Sequence, residues 1–238
     1  MQCVILAGGL GSRMKRYTTQ LPKSLIPVHG HPFLKWQLTL LEKNKINNVL
    51  LCIGYQGQSI QDYIQKNSFH SFDIHFSNEG NDLRGTGGAL RLAIEQGLIQ
   101  DTFFLLYGDS YLPTDFLPIW RHFEKRSENA LMTLLQNKEQ WIPSNVCFDG
   151  QRVTMYSKES EKPKPPCMTY VDYGLSLFRR DFIKNYIPPN EKVDLSTILK
   201  IVSAKKELAG YEVFERFYEI GSEIGLQEFE KHLRATSF

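Results

Sequence analysis

Leu6-Ala7-Gly8-Gly9-Leu10-Gly11-Ser12-Arg13, followed by Pro22-Lys23-Ser24-Leu25-Ile26-Pro27-Val28, is the stretch on which the reading of this chain turns. A short apolar run, Val4-Ile5-Leu6, leads into it and reads as a buried strand. Glycines then open the backbone, and Arg13 and Lys23 stand in a region without acids, because the first Asp or Glu of the sequence is Glu42. Backbone N–H groups approach a phosphate only where side chains are absent, and nearby cations then neutralise it. The pattern predicts a polyanion cradle at the end of a strand.

Outward from this loop, strand-like and helical patterns alternate through the first half. Strands are expected at residues 2–6, 48–53, 73–77 and 102–107, and helices at 33–44, 59–65 and 87–96. Leu34, Leu38 and Leu41 share one face of the first helix. This βαβα rhythm predicts a mainly parallel sheet covered on both faces, with ligands at the carboxyl ends of its strands, where the glycine loop falls. The second half reads as strands without long helices between them, at 130–135, 145–148, 153–156 and 170–178. Asp149-Gly150 marks a hairpin turn, and residues 157–166, rich in Lys, Glu and Pro, read as an exposed loop. The fold class expected is α/β: a Rossmann-like three-layer sandwich with a mixed, mainly parallel central sheet and an antiparallel subregion, all in one domain spanning residues 1–238.

The formal net charge of +2 argues against a nucleic-acid surface, and the basic bias is confined to the segment before Glu42. The four cysteines, Cys3, Cys52, Cys147 and Cys167, show no Cys-x-x-Cys pair and read as small buried thiols. The N-terminus has no cationic lead, its apolar run is too short for a secretory signal, and no run reaches the length of a membrane span. A reducing, cytoplasmic setting is expected.

Two familiar phosphate loops do not fit. A Walker loop needs Lys-Ser/Thr directly after its last glycine, where this chain has Ser12-Arg13. A dinucleotide fingerprint needs a glycine where Met14 stands and an acid about 20 residues further on. The spacing instead resembles the sugar-phosphate nucleotidyltransferases, or sugar-nucleotide pyrophosphorylases. Their signature is Leu-Ala-Gly-Gly-x-Gly-(Thr/Ser)-Arg, then Pro-Lys-x-(Leu/Met)-x-Pro-(Val/Ile). The similarity continues through Ile53-Gly54-Tyr55, Gly85-Thr86-Gly87-Gly88-Ala89, Leu106-Tyr107-Gly108-Asp109-Ser110 and Phe217-Tyr218-Glu219-Ile220-Gly221-Ser222, so it covers essentially the whole chain. The Gly-Thr-Gly-Gly-Ala run looks most like bacterial heptose 1-phosphate guanylyltransferases, with a related turn in mannose 1-phosphate guanylyltransferases.

The resemblance implies attack by a sugar 1-phosphate on the α-phosphorus of a nucleoside triphosphate, with Mg²⁺ as cofactor and pyrophosphate as leaving group. Leu6, Ala7, Gly8, Gly9, Gly11 and Ser12 would wrap the nucleotide, Arg13 would bind the leaving phosphates, and Lys23 would reach the α-phosphate. Asp109 would hold the metal, joined by Glu219, which stands where the family usually has Asp. Lys158 would meet the sugar phosphate, with Lys162 as the alternative match. Asp172 and Gly174 would contact sugar hydroxyls, while Gly85, Thr86, Gly87 and Gly88 would present backbone groups and one hydroxyl to the base. Residues 136–145, with Trp141, either cover the sugar or carry a packed surface tryptophan.

Uridylyl, thymidylyl or cytidylyl transfer, to an amino-sugar phosphate or to phosphocholine, stays open beside guanylyl transfer. So does a nucleotide-binding regulator that has lost turnover, for which Glu219 is the only support. The partners implied are the two small-molecule substrates, with neither nucleic acid nor membrane, for a monomer or homodimer.

Overall fold

The structure is a computed structural model that describes residues 1–236 except 10, 12, 13, 15–17, 19, 20, 138, 139, 141 and 159–162. Its centre is a nine-stranded sheet. Strands β1 (Gln2–Leu6), β4 (Asn48–Ile53), β5 (Asp73–Asn78) and β6 (Thr102–Tyr107) run parallel, with β1 between β4 and β6. Their side chains alternate between two cores. In β1, Cys3 and Ile5 face one core and Val4 the other; in β4, Val49, Leu51 and Ile53 oppose Leu50 and Cys52. Strands buried on both faces read as continuous apolar runs, which is why these were readable from the sequence.

One core is closed by α1 (Phe33–Lys43), α2 (Gly57–Asn67), α4 (Phe116–Glu124) and α7 (Glu223–Ala235). The other is closed by α3 (Gly85–Glu95), α5 (Arg180–Tyr186) and α6 (Leu195–Ala204). Three layers result, as expected. The strands expected from 130 to 178 follow one another with no helix between them among the described residues, as read from the sequence, whereas α4, α6 and α7, which precede and follow them, were not predicted. Each has a side-chain cap: Asp115 accepts from Leu117 N, Asp194 from Ser196 N and Ser222 from Gly225 N. In α6, the β-branched residues Thr197, Ile198, Ile201 and Val202 hide the helical period.

Beyond β6 the sheet becomes mixed. The long β11 (Met168–Arg179) runs antiparallel to β6 and to β8 (Ala130–Gln136), and β12 (Leu208–Val213) lies parallel to β8. β10 (Arg152–Tyr156) and β9 (Val146–Phe148) follow, and β9 pairs back onto β11, so this end of the sheet curls round on itself. The β9–β10 hairpin turns at Asp149-Gly150, with Asp149 Oδ1 accepting from the amides of Gln151 and Arg152. Two two-stranded ribbons complete the fold: β2 (Pro27–Val28) with β3 (His31–Pro32), and β7 (Ser110–Tyr111) with β13 (Tyr218–Glu219).

The cysteines divide. Cys3 and Cys52 are free and buried, whereas Cys147 in β9 is disulfide-bonded to Cys167, 20 residues on and just before β11. This corrects the reading of all four as isolated buried thiols, because the β9–β11 pairing brings two distant cysteines together. Among the described residues, no helix is long and apolar enough to cross a membrane.

Candidate active site

The carboxyl ends of β4, β1 and β6 lie side by side. Ala7 N donates to Cys52 O at 2.8 Å, and Gly108 N donates to Leu6 O at 3.0 Å. A Cβ at position 108 would stand 2.6 Å from Leu6 O, so only glycine lets the turn after β6 close onto the loop after β1. A cavity of about 310 Å³ opens over these ends, lined by Leu6–Gly9, Gly11, Lys23, Glu79, Gly85, Thr86, Tyr107 and Asp109, among others. The glycine loop, Lys23, the Gly85-Thr86 turn and Asp109, read separately along the chain, therefore converge on one space. Ser12, Arg13, Trp141 and Lys162 lie outside the described residues.

Lys23 begins a single 3-10 turn, Lys23–Leu25, and its Nζ lies 2.5 Å from Asp109 Oδ2. The turn that carries Asp109 is fixed from two sides. The fully buried Gln37 of α1 donates from Nε2 to Tyr107 O and Ser110 O, both at 2.9 Å, and Ile220 N donates to Asp109 O at 2.9 Å. The β7–β13 ribbon pairs Glu219 with Ser110, which brings the second expected acid beside the first. Among the described residues no three His, Cys, Asp or Glu side chains gather as a closed metal cage. Asp109 lines the cavity, and the strand that carries Glu219 pairs next to it. One hard carboxylate at a phosphate-binding space fits Mg²⁺, which is commonly held by one or two carboxylates together with substrate phosphates.

At the other end of the cavity stands Glu79, which the sequence reading missed. It follows β5, and its Oε2 accepts from Arg84 N at 2.7 Å. Its Oε1 would lie 2.8 Å from a Cβ on Gly8, so the bare backbone of the glycine loop makes the room for this carboxylate. Burial pushes the Glu79 pKa up, against the lowering effects of the Arg84 amide and guanidinium.

The glycine turn is used differently from what the sequence suggests. Gly85 and Thr86 line the cavity. The amides of Gly87 and Gly88, however, donate to Val193 O at 2.9 and 3.3 Å, and Val193 N donates to Arg84 O at 2.9 Å. A Cβ on Gly85 would stand 2.7 Å from Val193 O, and one on Gly88 2.6 Å from Glu191 O. These glycines admit a strap, residues 190–194, that lies tight against the turn. The Thr86 hydroxyl is also engaged, donating to Asp194 Oδ1 at 3.2 Å and accepting from Leu195 N at 2.8 Å.

On the side toward β10 and β11, Lys158 Nζ lies 3.0 Å from Asp194 Oδ2. Asp172 sits where β11 shifts register, and its Oδ1 accepts from Gly174 N at 2.9 Å. Gly174, with φ of 93°, bends the strand at that point, and its amide is thus taken by Asp172. Loss of surrounding water raises the Asp172 pKa to about 6, opposed by the Gly174 amide and the Lys158 charge. Tyr107, a second group the sequence reading left aside, is held protonated: burial first, then the nearby Asp172, Tyr156, Asp194 and Asp109, push its pKa well above the usual phenol range. It is a standing hydrogen-bond donor in the lining of the cavity.

A cavity at the carboxyl ends of parallel strands, with a glycine loop and a lysine–aspartate pair, is the architecture of a nucleotide-binding enzyme. The chain belongs to the nucleotidyl transferase family, whose model matches residues 2–222. It is 32% identical over 132 residues to a D-glycero-alpha-D-manno-heptose 1-phosphate guanylyltransferase from Aneurinibacillus thermoaerophilus, covering 55% of this chain and 56% of that protein. It is 23% identical over 183 residues to a putative mannose-1-phosphate guanyltransferase from Sulfolobus acidocaldarius, covering 77% of this chain and 50% of the other. The chain thus spans about half the length of these curated relatives. Two solved structures share the fold. A putative glucose-1-phosphate thymidylyltransferase from Bacillus anthracis superposes with a TM-score of 0.82 at 20% identity, covering 100% of this chain and 97% of the other. HddC from Yersinia pseudotuberculosis, complexed with GMP-PN, gives 0.78 at 20% identity, covering 98% and 99%.

Proposed function

We propose that this protein transfers a nucleoside monophosphate from a nucleoside triphosphate to a sugar 1-phosphate, with guanosine as the nucleoside. The observation that carries the reaction class is one cavity lined by the glycine loop, Lys23 and Asp109 at the carboxyl end of the sheet. Relatives named as guanylyltransferases, uridylyltransferases and cytidylyltransferases acting on sugar 1-phosphates support the class without choosing the base.

Glu79 favours guanine. Guanine alone among the common bases presents two adjacent donors, N1–H and N2–H₂, on its Watson–Crick edge, and a carboxylate is an acceptor-only group that can meet both. Uracil and thymine offer one donor flanked by acceptors, which a carboxylate repels. The acceptor would be a heptose- or mannose-type phosphate made for cell-surface polysaccharide, and the setting the cytoplasm.

An oxygen of the sugar phosphate attacks the α-phosphorus, a P–O bond forms there, and the bond to the β-phosphate oxygen breaks to release pyrophosphate. The nucleophile is already an anion, so no general base is required. The barrier lies in bringing two polyanions together and in charge that builds on the α-phosphate. Lys23 offsets that charge. Arg13, on the strength of its motif position, holds the phosphates that leave. Asp109 and Glu219 would hold Mg²⁺, which would supply the remaining positive charge to the reacting phosphates. Lys158 meets the sugar phosphate, and Asp172 with the Tyr107 hydroxyl faces the sugar.

A panel of GTP, UTP, dTTP and CTP against mannose, heptose, glucose and amino-sugar 1-phosphates, with pyrophosphate release as readout, tests the proposal. Turnover led by GTP supports it; absence of pyrophosphate release with every pair in the presence of Mg²⁺ overturns it.

A further inference from the structure

We propose that Asp194 is a positioning residue for this reaction, which holds the sugar-phosphate lysine Lys158 in place and anchors it to the nucleotide half of the site. The inference rests on the nucleotidyl-transfer reading above. One carboxylate serves three elements. Oδ1 caps α6 by accepting from Ser196 N at 2.9 Å and accepts from the Thr86 hydroxyl at 3.2 Å, while Oδ2 accepts from Lys158 Nζ at 3.0 Å.

The anchor is firm on its own side. The strap before Asp194 is tied to the base turn through Val193 N and O, and Arg84 Nη1 donates to Asn190 Oδ1 at 3.0 Å. The amide of Ser196 and the ammonium of Lys158 outweigh desolvation and keep Asp194 ionised, below the usual aspartate range. Lys158 is the more exposed partner, with its side chain 64% exposed on the stretch just after β10.

An exposed lysine loses rotamer freedom when it settles on a phosphate, and that loss is charged against binding. Asp194 takes up part of it in advance. An ammonium has three donors, so Lys158 can keep one on Asp194 and turn the others to the phosphate. The negative charge of Asp194 is met by three donors already, which limits its repulsion of the incoming substrate. Geometry and charge therefore favour orientation over competition.

The test uses the full chain with GTP and α-mannose 1-phosphate, or another sugar 1-phosphate from the panel that the wild type turns over. Asp194→Asn keeps an oxygen for Ser196 N and Thr86 but loses the bond to Lys158. It is expected to raise KM for the sugar phosphate about three- to fivefold, the scale of one exposed ion pair, while KM for GTP stays unchanged within error. Asp194→Ala also releases Thr86, so KM for both substrates rises. In a Lys158→Met background, Asp194→Asn is expected to add nothing, because its effect runs through Lys158. An Asp194→Asn effect of equal size in both backgrounds, or an unchanged KM for the sugar phosphate, overturns the proposal. If the wild type turns over no sugar phosphate, it is the functional reading that fails. The assignment is then judged by acetylation of Lys158 followed by mass spectrometry: faster labelling in Asp194→Asn upholds the tether, and an unchanged rate refutes it.

Discussion

Lys23 Nζ and Asp109 Oδ2 lie 2.5 Å apart, joining residues separated by 86 positions in the chain at the mouth of the cavity. Both side chains are partly buried, at 16% and 26% exposure. Under the proposed function each would exchange this partner for another in a loaded site, the lysine for a phosphate and the aspartate for a divalent cation. The pair meanwhile balances two opposite charges, because either charge left alone beside the cavity is costly to desolvate.

Asp109→Asn removes the proposed metal ligand but keeps the shape of the turn, which is held by Gln37 and Ile220. Turnover in Mg²⁺ is expected to fall by at least about a hundredfold, the range seen when one electrostatic contact to a transition state is lost. The melting temperature is expected to fall by a few degrees, because Lys23 loses its partner, while the fold is kept. Activity near that of the wild type, measured as pyrophosphate release across a Mg²⁺ titration, contradicts the metal role.

Glu79→Gln exchanges an acceptor-only carboxylate for an amide with its own donor. The preference for GTP over UTP in kcat/KM is expected to drop by roughly ten- to a hundredfold, the discrimination carried by a bidentate base contact. An unchanged ratio places base selection elsewhere.

Asp172 titrates at about 6 because burial penalises its charge. In its proposed role as an ionised acceptor for sugar hydroxyls it would work above that value, so KM for the sugar phosphate should rise as pH falls through 6, and Asp172→Asn should flatten that profile. Stability moves the opposite way. The folded protein binds this proton more tightly than the unfolded chain does, so the contribution of Asp172 to stability is fully present below the unfolded aspartate range and is lost as pH rises through about 6. Asp172→Asn is therefore expected to raise the melting temperature at pH 7.5 but not at pH 3.5. A gain of the same size at both pH values contradicts the assignment.

The bond between Cys147 and Cys167 closes a loop with a sequence separation of 20 that contains β10 and Lys158. Removing a cross-link over a loop of that length costs about 3 kcal/mol in the chain-entropy account. Cys147→Ser, or dithiothreitol on the wild type, should lower the melting temperature accordingly, because Cys167 is exposed to reductant. No change in either case means that the bridge does not form in solution.

The strands Gln2–Leu6, Asn48–Ile53 and Thr102–Tyr107 could be read residue by residue because both their faces are buried. Lys23 and Asp109 could be read because each follows a local motif at a strand end or turn. Glu79 could not, since its place depends on β5 lying beside β4 and on Gly8 leaving room across the gap. Asp194 was hidden for the same kind of reason: its partner Thr86 stands 108 positions away. The glycines at 85, 87 and 88 suggested exposed backbone donors, and the same lack of side chains instead admits a packed strap. A sequence shows that backbone is bare but not what comes to lie against it. Helix α6 was hidden by its β-branched residues, whose helical state is set by the Asp194 cap and by packing of Leu195, Ile198, Leu199 and Val202.

The most direct measurement follows the label. With GTP labelled at the α-phosphate, or separately at the γ-phosphate, and a sugar 1-phosphate in Mg²⁺, the α-label is expected in a GDP-linked sugar and the γ-label in pyrophosphate, in equal amounts. Release of γ-label as inorganic phosphate, or α-label recovered only as free GMP, would show that the cavity does not join the α-phosphorus to a sugar phosphate.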